Sequence, residues 1–215
     1  MIIQWCCKGL AKVNRPTIES MFTDPTGLRC RDWQSYWQAG DPFPLPPAMH
    51  RLTEDGLDRH VNDFTGPDPG TGKPFCEVTP FISLSAGCVD RDVLAKTNIA
   101  HRALRTALEF ATTDYSDPAR PACSGWVVYC YVLVGANPAA RIPSVAEEVR
   151  ELNHNRAYSG WYWQGEVAAK LHVPAAQLLC AEGYEPTSGG LRLTDFLLNL
   201  DFCHPAALLA ERSML

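Results

Sequence analysis

Hydrophobic residues are spaced along this chain in two ways, at every second position in some segments and at helical intervals in others. Residues 81–85 alternate, so that Ser83 and Ser85 share one face of a predicted strand. Residues 125–134 are β-branched or aromatic almost throughout, which predicts a strand that is buried on both faces. Residues 92–112 carry apolar residues at helical spacing and predict a long amphipathic helix. The chain therefore mixes strands and helices.

Shorter patterns predict the remaining elements. Residues 14–72 are rich in Pro, Gly and Asp, which favours irregular structure. The other expected elements are strands over residues 1–10, 165–170 and 177–180, and helices near residues 32–38, 53–64 and 145–152 and, as a pair, over residues 187–215. No repeat or linker divides the sequence, so we expect one α+β domain over residues 1–215, with residues 187–215 as a helical extension.

Charge and cysteine usage narrow the range of functions. The chain of 215 residues has 19 basic and 24 acidic residues, so its net charge is 19 − 24 = −5 and broad binding to nucleic-acid phosphates or anionic lipid is not expected. The sequence contains no membrane-span pattern and no signal peptide, which predicts a cytoplasmic protein. Its nine cysteines lack ligand spacing, which favours reduced thiols and predicts no metal site.

The segment Gln164-Gly165-Glu166 carries the strongest candidate chemistry. Residues i and i+2 of a strand point to one face, so the amide of Gln164 and the carboxylate of Glu166 would converge on one ligand. A carboxylate beside a sugar stabilises positive charge as a glycosidic bond breaks, and an amide orients the attacking group. The pattern is also common by chance, and a surface charge is the alternative interpretation of Glu166, although its flanking residues suggest a partly buried setting. Its interpretation depends on the rest of the chain.

Three blocks, read in order, resemble the mono-ADP-ribosyltransferase fold of the cholera-toxin and heat-labile-enterotoxin type. Residues 80–85 are similar to the family's aromatic-x-S-T-S strand, and residues 126–138 to its central strand and turn. Residues 158–178 resemble its third block, in which the Glu is followed by small residues and a Val-Pro turn. The blocks cover roughly residues 79–184. The resemblance implies a split mixed/antiparallel β-sheet core flanked by helices, with NAD as co-substrate.

The resemblance also implies roles for individual residues. Ser83 and Ser85 match the serines that shape the nicotinamide-ribose pocket, and Glu166 matches the catalytic Glu. Gln164 stands where arginine-modifying members carry a Glu. Because an amide accepts no proton, an acceptor other than arginine is favoured, with a protein residue expected first and a nucleobase as the alternative.

The family's phosphate-binding arginine, at the end of its first strand, has no clear match. Lys8 is the nearest equivalent, and Arg29 and Arg31 are the other candidates. A lysine meets a diphosphate as a point charge, without bidentate geometry. Two functions therefore stay open. One is an NAD-dependent mono-ADP-ribosyltransferase, with NAD glycohydrolase activity when water is the acceptor, and the other is a catalytically degenerate binding or effector module of the same fold. Delivery into a host cell as a toxin-like effector is open in either case.

Overall fold

The computed structural model describes residues 2–31, 50–86, 99–134, 145–148 and 166–207. The regular elements are β1 (Ile2–Ala11), α1 (Arg15–Thr23), β2 (Leu28–Arg29), α2 (Glu54–Asn62), α3 (Phe75–Val78), β3 (Phe81–Ala86), α4 (Ile99–Thr112), β4 (Gly125–Val134), β5 (Val145–Glu148), β6 (Glu166–Lys170), β7 (His172–Val173), β8 (Leu178–Thr187) and β9 (Gly190–Leu198), with a 3-10 turn at Ala175–Gln177 before β8. Helices around a mostly antiparallel sheet confirm the predicted α+β class.

The main sheet consists of two antiparallel layers. One has the strand order β1-β4-β8-β9, and the other has the order β3-β6-β5. Only short pairings join them, because β1 meets β3 at two positions and β5 runs parallel to β4 over two positions. The sheet is therefore split, as the sequence predicted. The main core combines apolar residues from both layers with Ile18 and Phe22 of α1 and Leu57 and Val61 of α2.

Helix α4 packs closely on the four-stranded layer. Buried alanines of α4 lie against Cys7 of β1. A Cβ atom at Gly9 would stand 2.0 Å from the carbonyl oxygen of Ala107, and one at Gly125 would stand 2.0 Å from that of Ala111. The two glycines are therefore required for this close approach of helix and sheet. The predicted helix is confirmed from residue 99, since residues 92–98 lie outside the described ranges.

The prediction of a helical extension over residues 187–215 is wrong for residues 190–198, whereas residues 205–207 are helical. Residues 190–198 form β9, which pairs with β8, and residues 208–215 lie outside the described ranges. The register shifts between Gly183 and Tyr184, so β9 contains one extra residue. This bulge brings four exposed apolar residues onto one face of β9, namely Leu191, Leu193, Phe196 and Leu198. Their spacing of two, three and two resembles a helical pattern, which explains the error.

Two further predictions are corrected. Residues 145–148, expected to begin a helix, form β5, because this segment pairs with both β4 and β6 and buries Ala146 fully. Helix α1 lies in the stretch expected to be irregular, and its sequence signals are the cap by Asn14 and the proline in its first turn. The helix predicted near residues 32–38 lies outside the described ranges. No described helix has both the length and the apolar character needed to cross a membrane.

Candidate active site

The pairing of β3 with β6 places three predicted site residues together. Glu166, the first residue of β6, lies opposite Ser85, and Ser83 lies opposite Ala168. Facing residues of an antiparallel pair share one face, so Ser83, Ser85 and Glu166 project from the same side. The side chain of Glu166 is 11% exposed. Its carboxylate accepts a hydrogen bond from the hydroxyl of Ser83.

His60 of α2 completes this cluster, although sequence reasoning did not single it out. Its Nε2 atom lies 2.8 Å from Oγ of Ser83 and 3.8 Å from Oε1 of Glu166. Its Nδ1 atom lies 2.8 Å from Oγ1 of Thr79. The rings of Phe64 and Phe81 pack around the imidazole, with ring centroids at 5.4 and 5.6 Å. The available signal was a histidine on the apolar face of α2, since a polar group buried there requires partners.

One cation, Lys8, lies near the carboxylate, and a second, Arg31, acts on Lys8. Lys8 lies in β1 opposite Val128 and is partly buried. Burial lowers the pKa of Lys8, the charge of Glu166 acts to raise it, and the charge of Arg31 lowers it further. The charges of Glu166 and Arg31 are therefore both close enough to Lys8 to shift its pKa. The structure thus places Lys8 near Glu166, and Arg31 within electrostatic range of Lys8.

Arg29, the third candidate, is engaged within the segment around β2. Its guanidinium forms an ion pair with Asp24, and its Nε atom donates to Oγ1 of Thr26 at 2.6 Å. Arg29 also lies opposite His172 where β2 pairs with β7. These contacts stabilise the connection between α1 and β2. Gln164 lies outside the described residues, so its predicted place beside Glu166 stays a prediction.

Burial shifts the pKa of both Glu166 and His60. Burial raises the pKa of Glu166, although the hydrogen bond from Ser83 and the charge of Lys8 act to lower it. Burial, assisted by the charge of Lys8, lowers the pKa of His60 to about 3. His60 is therefore neutral near pH 7, and the 3.8 Å separation of its Nε2 atom from Glu166 is not an ion pair. The site combines one carboxylate, a neutral imidazole, two hydroxyls and nearby cations.

The described residues give no support to metal or thiolate chemistry. Among them, no three His, Cys, Asp or Glu side chains are grouped so as to hold a metal ion. The eight cysteines in the described ranges are free thiols. Burial raises the pKa of Cys7 to about 12, and it also raises the pKa of Cys6 and of Cys130. These three thiols are therefore protonated near pH 7, which makes them poor nucleophiles.

No protein-family model and no curated protein matches the chain. Among solved structures, the chain is similar to EcPltA, a pertussis-like toxin A subunit with an ADP-ribosyltransferase-type fold. The two are 11% identical, and the match covers 94% of this chain and 88% of that chain with a TM-score of 0.48. At this identity and TM-score the likeness does not extend to the residues of the site.

Proposed function

We propose that this protein is an NAD-dependent mono-ADP-ribosyltransferase that acts on a macromolecular acceptor other than arginine, with NAD glycohydrolase activity when water is the acceptor. The observation that carries the proposal is the placement of the buried carboxylate of Glu166 beside Ser83, His60 and Lys8. A carboxylate that burial disfavours in its ionised form destabilises the fold. Such groups concentrate at functional sites, where their chemistry is used.

The residues fit a substrate that carries a diphosphate and a ribose. Lys8 carries a positive charge beside Glu166 that would attract a phosphate, and Arg31 is close enough to act on the pKa of Lys8. The hydroxyls of Ser83 and Ser85 and the carboxylate of Glu166 suit hydrogen bonds to sugar hydroxyls. Lys8 binds phosphate as a point charge, whereas Arg31 offers the planar fork of donors that a diphosphate accepts.

The carboxylate supplies the main chemical assistance. In the proposed reaction the bond between ribose and nicotinamide breaks, nicotinamide leaves with the electron pair, and positive charge develops on the ribose. The ionised carboxylate of Glu166 stabilises that charge, because opposite charges attract strongly away from bulk water. The hydrogen bond from Ser83 keeps the carboxylate oriented. An acceptor lone pair then forms the new bond to the ribose carbon, and the acceptor's proton passes to Glu166 or to water.

The sequence just before Glu166 restricts the class of acceptor. Gln164 cannot take a proton from a guanidinium, so an arginine acceptor is disfavoured. A protein residue is the proposed acceptor, and a nucleobase is the alternative. The free thiols of the described ranges suit a reducing compartment such as the cytoplasm.

An NAD turnover assay on the purified protein tests the proposal. Nicotinamide release should be measurable, and Glu166→Gln should reduce it by about 100- to 1,000-fold, as does the loss of other electrostatic stabilisers. NAD labelled in its adenylate part should pass its label to protein or nucleic acid in a cell extract. Saturable NAD binding without nicotinamide release would favour the degenerate binding module instead. Wild-type turnover by Glu166→Gln would contradict the assigned role of the carboxylate.

A further inference from the structure

We propose that Thr79 fixes His60 as the neutral tautomer with its proton on Nε2, so that His60 positions Ser83 against Glu166 and does not accept the acceptor's proton. The consequence for catalysis rests on the proposed function, whereas the tautomer itself does not. Thr79 is 2% exposed and lies immediately after α3, where the chain enters β3. It is a positioning residue, since it acts through His60.

The direction of the hydrogen bonds follows from the carboxylate. The Nε2 atom of His60 lies 3.8 Å from Oε1 of Glu166, and an ionised carboxylate attracts an N–H group and repels a bare lone pair, so the imidazole proton is favoured on Nε2. The Oγ atom of Ser83 lies 2.8 Å from Nε2 of His60 and therefore accepts a hydrogen bond from that nitrogen. In a neutral imidazole the other nitrogen, Nδ1, carries no proton and accepts. The partner of Nδ1 must therefore be a donor.

Thr79 is held so that it supplies that donor. Its Oγ1 atom lies 2.8 Å from Nδ1 of His60 and accepts a hydrogen bond from the backbone N–H of Phe81 at 3.2 Å. The carbonyl of the intervening Pro80 accepts a hydrogen bond from the N–H of Leu171 at 2.7 Å, which ties this backbone to the segment after β6. The bond from Phe81 uses only a lone pair of Oγ1 and leaves the hydroxyl proton of Thr79 available, so this hydroxyl supplies the donor that Nδ1 of His60 requires. The chain of hydrogen bonds therefore runs from Phe81 to Glu166 in one direction.

This arrangement determines what His60 does. Both of its ring nitrogens are occupied, one as a donor and one as an acceptor, so no lone pair is left to remove a proton from an incoming acceptor. Without the hydroxyl of Thr79, the proton could move to Nδ1. Ser83 would then donate to the bare Nε2, and Glu166 would lose its hydrogen bond. Lys8 and Glu166 lie close to His60, and their charges also influence which ring nitrogen carries the proton.

The test compares Thr79→Val, which keeps the shape of the side chain, with Thr79→Ser, which keeps the hydroxyl. Nitrogen-15 NMR of the imidazole groups near pH 7, without NAD, reads the tautomer directly, and the signals that disappear in His60→Phe assign those of His60. We expect the Nε2–H tautomer in the wild type and in Thr79→Ser, and a substantial Nδ1–H population in Thr79→Val. In turnover, Thr79→Val should lower kcat roughly tenfold with little change in KM, as expected for one lost buried hydrogen bond.

Two results would overturn the inference. One is an imidazolium or an Nδ1–H tautomer of His60 in the wild type, a measurement that stands even if Thr79→Val fails to fold. The other is an unchanged Nε2–H tautomer in a folded Thr79→Val. Because the NMR measurement needs no NAD, an Nε2–H tautomer in a wild type that releases no nicotinamide would overturn the proposed function and support the assignment for Thr79.

Discussion

The Nε2 atom of His60 lies 2.8 Å from the Oγ atom of Ser83, although the two residues come from different parts of the fold. His60 belongs to α2, within the proline-rich part of the chain, and Ser83 belongs to β3. The contact brings α2, which the sequence predicts as a helix near residues 53–64, onto the strand pair that carries Glu166. The proline-rich N-terminal third of the chain therefore contributes directly to the candidate site.

Replacing His60 should separate its role in positioning from its role in packing. Phe is close in size to His, and the pocket around His60 already contains Phe64 and Phe81. We expect His60→Phe to remain folded, with a thermal midpoint a few degrees from that of the wild type. Its rate of nicotinamide release should fall by about tenfold or more, because Ser83 loses its donor.

The matched variant is His60→Gln, whose amide retains a donor for Ser83. It should keep more activity than His60→Phe at similar stability. Equal rates in the two variants would show that the imidazole serves only as packing.

The pH dependence of turnover should reflect Glu166 and not His60. Burial raises the pKa of Glu166, so the ionised form is lost at a higher pH than for an ordinary Glu as the solution is acidified. Burial lowers the pKa of His60 to about 3, so this residue does not titrate near neutrality. We expect kcat/KM to fall on the acid side with a midpoint above 4.5, the usual value for Glu. An acid limb near 6.5 that disappears in His60→Phe would contradict this assignment.

The sequence predicts the locally encoded parts of the fold. β3 and β4 follow from alternation and from continuous β-branched and aromatic runs, and α4 follows from helical spacing. β9 could not be predicted from its pattern, because its bulge changes the period of the apolar residues. β5 could not either, since its strand conformation depends on pairing with β4 and β6, which are distant in the chain.

The same distinction applies to the candidate site. Ser83, Ser85 and Glu166 lie in strands whose patterns are visible, so their common face could be anticipated once β3 and β6 pair. The place of His60 in the site could not be anticipated, because it comes from a contact between α2 and β3 that no local spacing encodes. Lys8 was one of three candidate cations, and only the tertiary structure places it near Glu166.

Neutralising Glu166 should stabilise the fold. The pKa of Glu166 is raised in the folded protein, so its contribution to stability is present in full below the unfolded pKa and is lost as the pH rises through the folded value. Glu166→Gln resembles the protonated residue at every pH. We therefore expect its thermal midpoint to match that of the wild type near pH 4 and to exceed it near pH 8. A lower midpoint for Glu166→Gln at pH 8 would show that the ionised carboxylate stabilises the fold.

The positive charge of Lys8 should act on NAD binding more than on bond breaking. Lys8→Met removes the charge and keeps much of the side-chain volume, so we expect KM for NAD to rise by about tenfold or more while kcat changes less. Lys8→Arg should restore or improve binding, because a guanidinium offers two parallel donors to a phosphate.

The matched control is Lys12→Met, which removes an exposed lysine that pairs with Asp114 at the end of β1. Because Lys12 already has this partner outside the cluster around Glu166, KM for NAD should stay unchanged in that variant. Equal effects of Lys8→Met and Lys12→Met would point to a general loss of positive charge rather than to a phosphate contact at Lys8.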